Sequence, residues 1–307
     1  MAVRSRLTSF EQVPMCFAGW DGTIEQVTCG RFEGSLQVVR SRAVRVIRIT
    51  GTQSLRLRGQ ENGTIVSLTP VLPGNAAGVW HGQRLDPGQV VVRGPDAGID
   101  HRSARTSEYL NVSVPVAALE AATRAIGGPD PLPALRAWAV LTPRPDDYRA
   151  LGLATDRLLG ATGDWPVLSD PEAGQFEQEY LRLVARALGT GEEAGRSPTL
   201  PARLSLLSRA EELMRGSLRS PLGVLDLCAA LGASDRTLRL VFKEQYGCGP
   251  MTFYRRLRLN AVRTRLAADA GVPVAAAARE YGFTHLGNFA ADYRRHFGER
   301  PSETGRG

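Results

Sequence analysis

The chain has 307 residues, 43% of them hydrophobic and 22% charged, with a formal net charge of +7. That length suits two or three domains with cores of their own. No apolar run approaches the about 18 residues of a membrane span, and Arg4 and Arg6 are followed by no apolar stretch of an export signal. Cys16, Cys29, Cys228 and Cys248 form neither a C-x-x-C pair nor a disulfide-rich density. The expectation is a soluble cytoplasmic protein whose thiols are free and buried.

The positive excess is unevenly placed. Residues 203–307 hold 17 Lys+Arg against 10 Asp+Glu, whereas residues 1–202 hold 21 of each. A localised basic excess favours a polyanionic partner, because neutralising phosphates releases condensed counterions. Only Lys243 of the 38 basic residues is Lys, a bias that GC-rich coding DNA would also produce.

From about residue 25 to 114 the chain reads as short strands. Residues 35–41, 44–49, 54–58, 64–69, 89–93 and 109–114 are rich in Val, Ile and Leu. Val44-Arg45-Val46-Ile47-Arg48-Ile49 and Leu55-Arg56-Leu57-Arg58 alternate at close to period two. Turn signals separate the runs: Glu61-Asn62-Gly63, Pro73-Gly74-Asn75, Asp86-Pro87-Gly88 and Gly94-Pro95-Asp96. Six or more antiparallel strands at this spacing predict a small sandwich or barrel. Helical periodicity follows over 115–126, 146–159 and 171–188, with stripes such as Leu151, Ala154, Leu158 and Phe176, Tyr180, Leu183, Ala187. A small β-domain covers only part of such stripes, which predicts helices shared between two protomers.

The β region offers no catalytic constellation. His81 and His101 stand twenty residues apart with no H-x-H, and are expected to be surface or locally hydrogen-bonded. No G-x-S-x-G and no phosphate-binding loop is present. The expectation is a non-enzyme without metal or cofactor. An enzyme with an appended DNA module, such as a repair alkyltransferase, would need a reactive Cys cluster that the sequence lacks.

Residues 189–201 have no periodicity and read as a linker between a 1–190 domain and a 202–307 domain. Beyond it, residues 224–250 and 274–301 are two imperfect copies of one unit. At an offset of 50, Leu227, Gly232 and Ser234 match Ala277, Gly282 and Thr284; one extra residue then moves the offset to 51. Leu238, Phe242, Lys243, Tyr246, Gly247 and Pro250 match Phe289, Tyr293, Arg294, Phe297, Gly298 and Pro301. Each copy is a small-apolar helix, a Gly-centred turn and a second helix, a DNA-docking layout.

The first helix-turn-helix spans 224–246 and the second 274–297, joined by a helix over 251–268. Ser234 is placed to cap the first recognition helix. Arg236 and Arg239 lie on its exposed side near the N-terminus, where a guanidinium can bind guanine O6 and N7. In the second, His285 and Asn288 are the hydrogen-bonding groups at the exposed start, and Arg294 and Arg295 lie further along, suited to phosphate. Arg255, Arg256, Arg258, Arg263 and Arg265 crowd the joining helix, about half expected on phosphate and the rest in solvent.

Residues 203–305 resemble the DNA-binding domain of the AraC/XylS family of bacterial transcription regulators. The resemblance is carried by Gly282-Phe283-Thr284, Phe289, Tyr293-Arg294-Arg295-His296-Phe297-Gly298 and Pro301-Ser302, and in the first copy by Leu238, Phe242, Lys243, Gly247 and Pro250. It implies base reading by Arg236, Arg239 and the 240 position, where Leu240 leaves a thymine-methyl contact, together with His285 and Asn288. It assigns phosphate contacts to Ser234, Lys243, Arg255, Arg256, Thr284, Arg294 and Arg295. Leu286, Gly287 and Ala291 stand where relatives carry polar readers. The resemblance also implies a two-domain plan: an N-terminal mainly-β, cupin-like sandwich or barrel followed by dimerisation helices (about 115–188), then an all-α domain with two helix-turn-helix motifs. Promoter DNA, a homodimer, RNA polymerase and an unidentified small-molecule effector are the partners it implies, with activation favoured. Gating by a protein partner through the β region is the alternative.

Overall fold

The computed structural model describes residues 2–17, 20–61, 64–72, 78–95, 97–128, 138–160, 170–193 and 200–304. The expected turns at 62–63, 73–75 and Asp96, and linker residues 194–199, lie outside the described residues. The chain divides into two compact units, Met1–Ile24 with Glu33–Gly195, and Glu25–Phe32 with Arg196–Gly307. The sequence had pointed to a single crossing at the linker; eight residues of the β region join the second unit instead.

In the first unit, one antiparallel sheet runs β1 (Ala2–Leu7), β3 (Gly34–Arg40), β4 (Arg45–Gly51), β11 (Ser107–Pro115), β6 (Ile65–Pro70), β9 (Val90–Arg93), β12 (Trp138–Thr142), β13 (Glu192–Glu193). A second runs β2 (Trp20–Gln26), β5 (Leu55–Glu61), β10 (Ile99–Arg102), β7 (Val79–Trp80), β8 (Gln83–Arg84). The six expected strands are β3, β4, β5, β6, β9 and β11. Of the others, β7, β8 and β13 are two residues long, Ile99–Arg102 carries too few apolar residues for a pattern, and β1, β2 and β12 fall essentially outside the stretch read as strands. Between β7 and β8, His81 and Gly82 both have positive φ (43° and 79°), the two-residue hairpin turn that suits strand twist.

Side-chain alternation sorts the large sheet into two faces. Val46 of β4, Val66 and Leu68 of β6, Val90 and Val92 of β9, and Leu110, Val112 and Val114 of β11 share one core with three helices. Those are α1 (Val116–Ala125), α2 (Pro145–Leu159) and α3 (Asp170–Gly189), contributing Leu119, Leu151, Ala154, Leu158, Tyr180 and Val184 among others. The stripes of α2 and α3 therefore pack within their own unit, α3 chiefly against α1 and α2, with Phe176 and Leu183 partly buried and Leu153 (58% exposed) left outside. The alternate residues Ser67, Thr69, Arg93, Tyr109, Asn111 and Ser113 form a polar face. There Arg93 donates to Ser67 Oγ at 3.0 Å, and the Tyr109 ring lies 5.2 Å from His101 of the second sheet.

The second unit is helical: α4 (Leu200–Gly216), α5 (Val224–Leu231), α6 (Asp235–Tyr246), α7 (Pro250–Ala268), α8 (Val274–Glu280) and α9 (Leu286–Phe297). Leu227, Leu231, Leu238, Val241, Phe242 and Tyr246 pack with Leu207, Ala210 and Met214 of α4 and Phe253, Tyr254 and Leu257 of α7. Ala277, Ala278, Phe289, Tyr293 and Phe297 are buried in the second motif. Its ring pairs step along α9, with centroids 5.6 Å apart for Phe289–Tyr293 and 4.6 Å for Tyr293–Phe297. Burial of these anchors, more than helix propensity, holds such short helices.

Candidate nucleic-acid interface

Each motif turns on a left-handed glycine, Gly232 (φ 63°) and Gly282 (φ 75°), and a Cβ at Gly282 would also approach Pro221 Cγ to 2.3 Å. Ser234 caps α6, its hydroxyl accepting from the Thr237 N–H at 3.1 Å. In the second copy the extra residue makes His285 the N-cap, without a side-chain capping bond. Thr284 is thus one residue outside the helix and is exposed. Both α6 and α9 end in a left-handed glycine, Gly247 and Gly298.

Arg236, Arg239 and Leu240 stand together on the exposed side of α6, Leu240 being 51% exposed. Arg236 has no ion pair among the described residues, while Arg239 Nε reaches the Asp235 carboxylate one turn back at 2.8 Å. Such exposed pairs are worth under about 1 kcal/mol and are readily exchanged. Lys243 Nζ donates to the Gly247 carbonyl at 3.2 Å. At the start of α9, His285 and Asn288 are exposed, as are Arg294 and Arg295; Arg295 pairs with Asp292.

The arginines of α7 differ from expectation. Arg255 pairs with Asp292, Arg256 Nη1 donates to the Val27 carbonyl at 3.0 Å, and Arg258 reaches the Tyr281 carbonyl at 3.3 Å with its guanidinium 4.8 Å from the Phe283 ring. Arg263 pairs with Glu299 at 2.6 Å and lies 4.9 Å from the Phe297 ring, and Arg265 pairs with Asp269 at 3.5 Å. All five have protein partners, so the crowding reflects a helix that touches both motifs.

In the first unit a small, partly open cavity of about 40 Å³ is lined by Thr69, Leu85, His101, Ser103, Glu108 and Tyr109 among others. His101 departs from the expected surface or bonded histidine: it is buried, and its Nδ1 has no hydrogen-bond partner among the described residues. Burial lowers its pKa to about 4, with Arg102 adding and Asp100 opposing, so the ring is neutral near pH 7. Trp80 Nε1, 5.7 Å away ring to ring, is likewise unpartnered. His81 Nε2 donates to the Gly98 carbonyl oxygen at 3.0 Å, so the proton sits on Nε2. Among the described residues no group of three or more His, Cys, Asp or Glu is placed to hold a metal, and no helix is long and apolar enough to cross a membrane. Cys29, Cys228 and Cys248 are half-buried.

A family described as "Helix-turn-helix domain" matches residues 227–307. The XylDLEGF operon transcriptional activator 1 of Pseudomonas putida is 26% identical over 263 residues, covering 84% of this chain and 77% of that protein. The C-terminal module is an AraC/XylS-type helix-turn-helix domain. The probable thc operon regulatory protein of Rhodococcus erythropolis is 31% identical over 105 residues, 34% of this chain and 32% of that one. A solved probable AraC family transcriptional regulator from Rhodopseudomonas palustris CGA009 is 38% identical over 33% of this chain and 95% of that one, with a TM-score of 0.31.

The AraC/XylS-type domain holds one feature that sequence reasoning missed: the segment Glu25–Phe32, bonded to Asn260 and His296 across more than 200 residues of chain. No local pattern signals such a contact. His296 lies inside the family-like run and reads as one more basic residue, yet it is 1% exposed.

Proposed function

We propose that this protein is a transcription activator that binds promoter DNA through α6 and α9 and answers to a small molecule held in the first unit. The observation that carries the DNA reading is the repeated helix-turn-helix, with both readers exposed on a module of net charge +7 (17 basic against 10 acidic residues in 203–307). Arg236 and Arg239 read guanine, Leu240 meets a thymine methyl, and Asn288 and His285 supply the second reader. Ser234, Lys243, Thr284, Arg294 and Arg295 contact phosphate. Arg255 and Arg256 would have to leave Asp292 and the Val27 carbonyl to do so, and we assign them to the fold. Activation is supported by the Pseudomonas putida relatives, which are named as operon activators.

The effector reading draws on the cavity beside His101, whose unpartnered nitrogen favours a ligand that hydrogen-bonds a neutral imidazole. Homodimer formation and contact with RNA polymerase remain part of the proposal on family resemblance. Site selection from a random duplex library with the full chain tests the DNA reading. A motif of two boxes about one helical turn apart is expected; no enriched motif would reject it. A small-molecule screen following Trp fluorescence during heating tests the effector, since Trp20, Trp80 and Trp138 belong to the first unit. If no compound shifts the transition, the alternative of gating by a protein partner takes its place.

A further inference from the structure

Glu25–Phe32 runs from the last two residues of β2 into the connection toward β3, yet it is built into the DNA-binding unit. Asn260 of α7 accepts from the Gln26 N–H at 2.9 Å and donates to the Gln26 carbonyl at 3.1 Å, pairing with the backbone as a neighbouring strand would. His296 of α9 donates from Nε2 to that same carbonyl at 3.0 Å. The backbone carbonyl of His296 accepts from Gln26 Nε2 at 2.6 Å and from the Gly30 N–H at 3.0 Å. Arg215 of α4 grips the Glu25 carboxylate with both terminal nitrogens, at 2.5 and 2.7 Å. Val27, 6% exposed, completes the core of the first motif. At the end of α9, Gly298 leaves room for the segment: a Cβ there would come within 2.7 Å of the Arg31 nitrogen.

The segment therefore touches α4 and the core of the first motif, the joining helix α7, and the second reader α9. Asn260 and His296 are 5% and 1% exposed, and partners for both come from the segment. Taking it away would leave buried polar groups unpaired, which is costly. We propose that Glu25–Phe32 is a positioning brace that sets where α9 stands relative to α6, and so fixes the spacing of the two DNA boxes. The proposal rests on the DNA reading above. It also means that residues 203–307 alone lack part of their own unit.

The test uses the full chain and three duplexes: the two-box site from the selection, the same site with one base pair inserted between the boxes, and the first box alone. Gln26→Ala is expected to weaken two-box binding about tenfold, the equivalent of one or two lost hydrogen bonds. It should leave first-box affinity as in the natural chain and flatten the penalty for the insertion. Glu25→Arg should act the same way, and adding Arg215→Glu should restore both affinity and spacing preference. If Gln26→Ala unfolds the second unit, the charge-swap pair decides. Folded variants that keep the natural two-box affinity and insertion penalty would overturn the brace, as would a double variant no better than Glu25→Arg. A natural chain with no site-specific binding defeats the DNA reading itself, a separate failure visible before any variant is made.

Discussion

Acid should loosen the DNA-binding unit through His296. The ring is 1% exposed, and burial lowers its pKa from 6.5 to about 4; Arg256, Arg263 and Arg295 push the same way, and the bond to the Gln26 carbonyl partly opposes them. Because Nε2 donates to that carbonyl, Nδ1 is the unprotonated nitrogen, set to accept from the Cys29 thiol at 3.4 Å. The folded state thus holds a neutral ring, while the unfolded chain takes up a proton below about pH 6.5. Between pH 6.5 and 4 the unfolded state binds more protons, so stability is full above 6.5 and falls as the pH drops. At about 1.4 kcal/mol per pH unit, going to pH 5 removes about 2 kcal/mol, and going to pH 4 about 3 kcal/mol. The comparison variant is His296→Gln, whose amide can still donate to Gln26 and does not titrate. Urea unfolding at pH 7 and pH 5, followed by hydrogen-exchange mass spectrometry of α9 peptides, reads the difference. The natural chain should lose about 2 kcal/mol more than the variant. Equal losses would refute the buried neutral ring. Trp fluorescence, which reports the first unit, should respond to pH through His101 but not to His296→Gln.

Arg236→Ala or Arg239→Ala should each cost about 1–3 kcal/mol on the selected site and relax its preference at one or two base pairs, whereas Arg294→Ala should weaken all sequences alike; repeating the site selection with each variant separates the two outcomes. Phe242 is fully buried between Tyr246 and Phe253, with ring centroids 5.8 and 5.3 Å away, so Phe242→Ala should cost about 3–5 kcal/mol in thermal or urea unfolding of the second unit.

What the sequence could carry was local. The repeat at 224–250 and 274–301 announced both helix-turn-helix motifs to within a residue or two, because turn glycines, the Ser234 cap and apolar anchors at spacings of three and four act over a few residues. Strands with real alternation, such as Arg45–Gly51, were legible for the same reason. The exposure of Arg236, Arg239, His285 and Asn288 followed from helical periodicity. Tertiary structure decided the rest. It turned the α7 arginines inward to carboxylates, carbonyls and rings, since a long side chain's partner depends on which helix crosses above it. It packed the α2 and α3 stripes into the core of their own unit and sank His101 beside Trp80 and Tyr109. It also carried Gln26 to Asn260, 234 residues away, where hydrogen bonds depend on proximity in space and leave no period in the sequence.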